Sequence, residues 1–217
     1  MGYKAIKIDE LTIDDHYHLG SDDKCYYLME YTKGAGYRTP ENSHIHNFKK
    51  LMTQKGKSDW HYKTEAIEII AKLFRSIYIP MLNLEEWTLI PIPPSKCIED
   101  PLYDDRMTKL LKRSCLGMAC DIREVILTIE SREASHTSSS RASVAEIRNN
   151  LFLDQDQVDE LRMNIILFDD VLTSGAHYLA CKNIILEKYP DANIYGMFIA
   201  RRVLPNVTDD FDDWDTF

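Results

Sequence analysis

The chain has 217 residues, 44% of them hydrophobic, and a formal net charge of −9 with an isoelectric point near 5.3. That length allows one sizeable core, as a single large domain or a domain with an appendage; the acidic balance opposes a general nucleic-acid binder, which needs a basic face to exchange counterions with phosphates. No apolar run approaches the roughly 20 residues of a membrane span. Met1-Gly2-Tyr3-Lys4 has no apolar segment behind it, so a cytoplasmic protein is expected. Cys25, Cys97, Cys115, Cys120 and Cys181 are odd in number and form no C-x-x-C pair, which predicts reduced, mostly buried thiols rather than a disulfide framework or a zinc site.

Residues 1–46 read as an N-terminal appendage or hood. Cys25-Tyr26-Tyr27-Leu28-Met29 is its clearest β-prone piece, and Ser21-Asp22-Asp23 and Lys33-Gly34-Ala35-Gly36 on either side are turn chemistry, predicting a small hairpin or meander. Its tyrosines either pack the appendage or cover a base. His16-x-His18 and His44-x-His46 would set paired imidazoles on one face of an extended chain, but each pair lacks a third ligand, which argues against a metal. Lys49, Lys50, Lys55 and Lys57 then form a basic patch, either a solvated face or a positive rim that draws phosphorylated ligands. Ala66, Ile70, Phe74 and Ile77 share one helical face, and Glu68 stands four residues before Lys72, so the spacing predicts an amphipathic helix over 63–78.

Trp87 to Ile92 reads as a buried strand. It runs into Pro91-Ile92-Pro93-Pro94-Ser95-Lys96, where prolines stop the ladder and leave Ser95 and Lys96 at a carboxyl edge. A helix follows over about 103–114, with Met107, Leu110 and Leu111 at core spacing, and Glu124 to Ile129 reads as a third apolar strand. Residues 131–141, including Arg132, Ser135, Thr137, Ser140 and Arg141, are polar and small. A mobile lid is the preferred reading over a linker, because a helix over 142–150 resumes at once. Residues 47–205 thus read as one α/β domain. The tail, 206–217, sets five aspartates around Phe211, Trp214 and Phe217; it is either a solvated, self-repelling segment or a docking peptide for a protein partner.

The most informative stretch lies between Asn164 and Pro190. Ile165-Ile166-Leu167-Phe168 suits a strand buried on both faces of a parallel sheet, ending in Asp169 and Asp170 at the carboxyl edge, where open α/β folds collect ligands. Thr173-Ser174-Gly175 permits a tight turn before a helix over 176–189, stopped by Pro190. Unpaired N–H groups of such a turn converge on one spot, helped by the helix dipole, so a phosphate is the natural guest. The adjacent carboxylates repel a phosphate unless they face hydroxyls or a divalent cation on the same ligand. A ribose phosphate satisfies both halves. Asn193 to Ala200 reads as the last core strand, pairing with the Ile165–Phe168 strand in a β-α-β unit.

Ile165 through His177, IILFDDVLTSGAH, resembles the phosphoribosyl pyrophosphate (PRPP) motif of type I phosphoribosyltransferases. One position departs from it: His177 stands where the motif usually closes with Thr or Ser. The polar loop, Arg141 and Glu146-Ile147-Arg148-Asn149-Asn150-Leu151-Phe152, with the Pro91–Lys96 loop and the lysine-rich segment near Phe48, are similar to the ComF-like, competence-associated branch. The likeness covers about Phe48 to Arg202 and lacks the cysteine zinc ribbon with which ComF proteins commonly open. The resemblance implies a central parallel sheet flanked by helices, and transfer of ribose 5-phosphate from PRPP to a nucleobase or related acceptor with Mg²⁺. It further implies that Thr173, Ser174, Gly175, Ala176 and His177 hold the 5′-phosphate and that Ser95 and Lys96 hold pyrophosphate. Asp169 and Asp170 would hold ribose and, through its hydroxyls and water, the metal; Arg132 or Arg141 would arrive with the lid. A PRPP or nucleotide sensor without turnover, signalling to a protein partner, is the competing expectation. The sequence is compatible with an oligomer.

Overall fold

A run of consecutive apolar residues has to be covered on both faces, and the chain achieves this with helices on each side of one sheet. The computed structural model describes residues 2–132, 142–159 and 161–204. In order these form β1 (Ile6–Lys7), β2 (Lys24–Thr32), α1 (Pro40–Phe48), α2 (His61–Ile77), β3 (Trp87–Pro91), α3 (Arg106–Ser114), β4 (Asp121–Ile122) and β5 (Ile126–Thr128). There follow α4 (Val144–Asn149), β6 (Leu151–Leu153), α5 (Gln155–Val158), β7 (Asn164–Leu172), α6 (Ala176–Lys188) and β8 (Asn193–Val203). Six strands make the central sheet in the order β1-β2-β8-β7-β3-β4. All its pairings are parallel except β1 with β2.

The core divides into two clusters, split by the alternation of β7. Ile165 and Leu167 pack with Tyr178, Cys181, Ile184 and Ile185 of α6. Ile166 and Phe168 pack with Phe48, Phe74 and Leu110 from α1, α2 and α3. Burying each large apolar side chain contributes roughly 1.5–3 kcal/mol. Within the first cluster, Gly196 of β8 admits Tyr178 and Cys25: a Cβ there would lie 2.7 Å from Phe198 and 2.9 Å from the Cys25 sulfur. All five cysteines are unpaired, with Cys25, Cys115 and Cys181 buried.

Two expectations change. The first 46 residues do not stand apart as an appendage: β2 joins the sheet in parallel with β8 from Lys24↔Tyr195 to Thr32↔Val203. Its Cys25, Tyr27, Leu28 and Met29 are all buried, the nearly continuous burial of an interior parallel strand, and α1 crosses the expected boundary at residue 46. The helix starts where Thr39 accepts the Asn42 N–H (3.1 Å) ahead of Pro40, a favourable first helical residue. The stretch expected as a third core strand is shorter, and as β5 it pairs antiparallel with β6 in a separate two-stranded sheet, leaving the edge place beside β3 to Asp121–Ile122. No helix is long and apolar enough to cross a membrane among the described residues.

Candidate functional site

β3 ends beside the middle of β7, where Pro91 pairs with Phe168 and Ile92 donates to the Phe168 carbonyl at 2.8 Å, while β7 runs on to Leu172. The two strands are parallel, so both loops leave the same edge of the sheet. After β7 comes Thr173-Ser174-Gly175, in which Gly175 has φ +88° and caps the start of α6; a side chain there would be strained and would meet Leu19 at 2.8 Å. After β3 comes the Pro93–Lys96 loop, held by Thr128 donating to the Pro94 carbonyl (2.7 Å) and by the Arg132 N–H donating to the Ser95 carbonyl (2.9 Å). Ser95, Arg132, Asn150, His177 and Cys181 line a cavity of ≈ 30 Å³ between the two loops. That is room for two or three waters at about 10–15 Å³ each, so a larger ligand must lie across the edge rather than inside.

The N-terminal segment shapes the first loop. Buried His16, in a 3-10 turn (Ile13–His16), donates from Nδ1 to the Thr173 carbonyl, and the His18 N–H donates to the Ser174 carbonyl at 3.0 Å. In a trans peptide the C=O and the following N–H point in opposite directions. Drawing these two carbonyls toward the N-terminal segment therefore turns the N–H groups of Ser174 and Gly175 away from it, as an anion cradle requires. A bond to a carbonyl requires hydrogen on Nδ1, which leaves Nε2 of the neutral ring as the acceptor; that atom is buried without a hydrogen-bond partner among the described residues. Burial holds His16 below the usual histidine pKa.

β7 does not stop before its acids, as the apolar run alone suggests; it continues to Leu172, so Asp169 and Asp170 lie inside the strand. Asp170, 4% exposed, receives Lys49 Nζ at 2.8 Å on one oxygen, and Arg106 Nη2 at 2.5 Å and Nε at 3.2 Å on the other. Arg106 also reaches Asp104 at 2.8 Å, and Asp104 takes buried Lys63 at 2.8 Å. Burial works to raise the Asp170 pKa, but the Lys49 and Arg106 charges outweigh it and hold the carboxyl far below the usual range. Asp169 is different. Among the described residues its side chain accepts only the Asp170 N–H, at 2.7 Å. Burial and the adjacent Asp170 charge push its pKa up, against the weaker pull of Lys49 and Arg106.

His177 opens α6 with its surface exposed but with protein crowded around the ring. That crowding, followed by the Lys49 and Arg132 charges, holds it below the usual histidine value against the opposing pull of Asp170. The charges of Asp170, Lys49 and Arg132 thus all reach His177. Lys96 instead turns along its own loop to Asp100 (3.7 Å), an acid that also accepts the Ser131 hydroxyl at 2.5 Å. The structure brings Ser95, Arg132, Asp169, Asp170 and the 173–177 turn to one edge; Ser135, Thr137, Ser140, Arg141 and the acidic tail lie outside the described residues.

Arg106 escaped the sequence reading, and Lys49 entered it only as one lysine of a patch. A faint signal existed for the first: Asp104-Asp105-Arg106 sets a cation right after two acids at a helix start, where exposed charge alone would favour the acids. Among the described residues, no group of three or more His, Cys, Asp or Glu side chains is placed to hold a metal ion by itself. No protein-family model matches the chain, and no curated protein matches it.

Proposed function

We propose that the protein is a Mg²⁺-dependent phosphoribosyltransferase that moves ribose 5-phosphate from PRPP to a nitrogen of a nucleobase-like acceptor. The observation that carries this reading is the pairing, at one carboxyl edge, of a phosphate-type turn at Thr173–His177 with a carboxylate, Asp169, that forms no ion pair among the described residues. The turn suits a 5′-phosphate and Asp169 suits sugar hydroxyls. In the reaction the C1–O bond breaks with its electron pair leaving on pyrophosphate, a C1–N bond forms, and the acceptor's proton is released. Positive charge develops at C1, which a nearby carboxylate stabilises. Mg²⁺ typically binds through one or two carboxylates together with substrate phosphates, and Asp169 beside a diphosphate ligand fits that pattern; when bound, the ion neutralises charge on the leaving diphosphate. Ser95 and Arg132 supply donors on the other side of the cleft.

A second reading, a PRPP or nucleotide sensor acting through a protein partner, is favoured by one observation: Asp170 is already engaged by two cations, which leaves a single uncommitted acid where the motif has two. The test is to incubate the protein with PRPP, Mg²⁺ and a pool of nucleobases and to measure pyrophosphate. Release that depends on one base supports the transferase; PRPP binding without release supports the sensor; absence of binding rejects both.

A further inference from the structure

Behind the candidate site lies a row of charges that the PRPP motif does not include. Lys63, Asp104, Arg106, Asp170 and Lys49 alternate in sign, joined at 2.8, 2.8, 2.5 and 2.8 Å. Three cations face two carboxylates, so one positive charge is left over. The four inner side chains are 20% exposed or less, whereas Lys49 is 43% exposed. The surplus therefore reaches solvent at Lys49, on the sheet edge that carries the Thr173–His177 turn. Each Lys ammonium has three donors and Lys49 gives one to Asp170, so two remain for a ligand. Arg106, fixed by two acids and set 5.9 Å from the Phe48 ring centroid, keeps the ammonium anchored through their shared carboxylate.

We propose that Lys49, backed by Arg106, is the cation that receives the diphosphate of the ligand, in place of Lys96. This rests on the phosphoribosyl reading. The ligand class is a sugar phosphate that carries a second, diphosphate group: the monophosphate lies on the 173–177 turn and the diphosphate between Lys49 and the Pro93–Lys96 loop. Lys96 is the weaker candidate because its charge is balanced within its own loop, where Asp100 lies 3.7 Å away, whereas Lys49 ends a row that holds one more cation than acid.

The test uses the full chain and calorimetry with three probes in Mg²⁺: PRPP, inorganic pyrophosphate and ribose 5-phosphate. Lys49→Met is expected to weaken PRPP and pyrophosphate about tenfold or more, the effect of losing a charged hydrogen bond, while ribose 5-phosphate stays within about twofold. Lys49→Arg keeps the charge and should restore most of the loss, which separates a binding role from a merely structural one. Lys96→Met should leave all three probes within about twofold. Unchanged pyrophosphate affinity in Lys49→Met, or a loss confined to Lys96→Met, overturns the assignment. If the parent protein binds pyrophosphate but not PRPP, and Lys49→Met abolishes that binding, the anion site stands and the phosphoribosyl reading falls.

Discussion

Asp169 and Asp170 are adjacent in sequence, yet they live in opposite electrostatic settings. The α1–α3 side of the sheet closes around Asp170 with two cations, which in turn lean on Asp104 and Lys63. Asp169 meets neither a cation nor a side-chain donor among the described residues, and its charge lies close enough to the buried Cys181 thiol of α6 to help raise that group's pKa. Successive residues of a strand point to opposite faces, so two identical side chains divide into one acid paired with cations and one without an ion pair among the described residues. The difference also orders their uses. A carboxylate saturated by cations is held in place, while a half-buried one without an ion pair among the described residues costs stability.

The largest effect should come from breaking the saturated side. Asp170→Ala leaves Arg106 and Lys49 without their shared acid, and removing one partner of a buried pair costs about 3–5 kcal/mol. Urea unfolding measures this; a loss below about 1 kcal/mol would mean the row of charges is slack. Asp169→Asn should act in the opposite direction. The Asp169 carboxyl is pushed up to about 7, by burial first and the Asp170 charge second, against about 3.9 in an unfolded chain. Its stabilising contribution is complete below the unfolded value and is lost as pH rises through the folded one. The Asn variant should therefore be more stable by roughly 1–3 kcal/mol at pH 8, with a flatter profile between about pH 4 and 7, and should bind PRPP less well. Destabilisation at pH 8, or unchanged PRPP affinity, would make the two acids alike after all.

A smaller effect sharpens the comparison from the loop side. His16→Leu keeps apolar bulk but loses the donor to the Thr173 carbonyl, at about 1–2 kcal/mol; His16→Asn places an amide N–H where Nδ1 stood. If the bond orients the turn, affinity for inorganic phosphate should fall in the Leu variant and largely return in the Asn variant. Equal losses in both would reduce His16 to packing.

Much of this organisation was readable along the chain. The apolar run at Ile165–Phe168, the turn at Thr173–Gly175 and the helix after it are local patterns, and they form β7 and α6 nearly as spaced. The helix expected over 63–78 forms at His61–Ile77, and the strand from Trp87 ends at its prolines. Periodicity and turn chemistry act over a few residues, so a single chain displays them directly.

What lay beyond reach depends on partners far apart in sequence. That residues 24–32 enter the sheet beside β8 follows from pairing across more than 160 positions, and β-prone residues alone do not say which edge they will extend. The acid in β7 that is neutralised was decided by Lys49, just past the end of α1, and Arg106, at the start of α3, which lie 121 and 64 positions from it along the chain. His16 and His18 read as a weak metal pair until the chain folded back and set one on the Thr173 carbonyl and the backbone of the other on Ser174. The sequence by itself determined where a tight turn, a helix start and two adjacent acids would sit along the chain, because those are short-range properties of a strand, a turn and a helix start. Only the tertiary structure decided which acid stays free and which cations reach the edge, because charge neutralisation depends on distance in space, and separation along the chain says little about it.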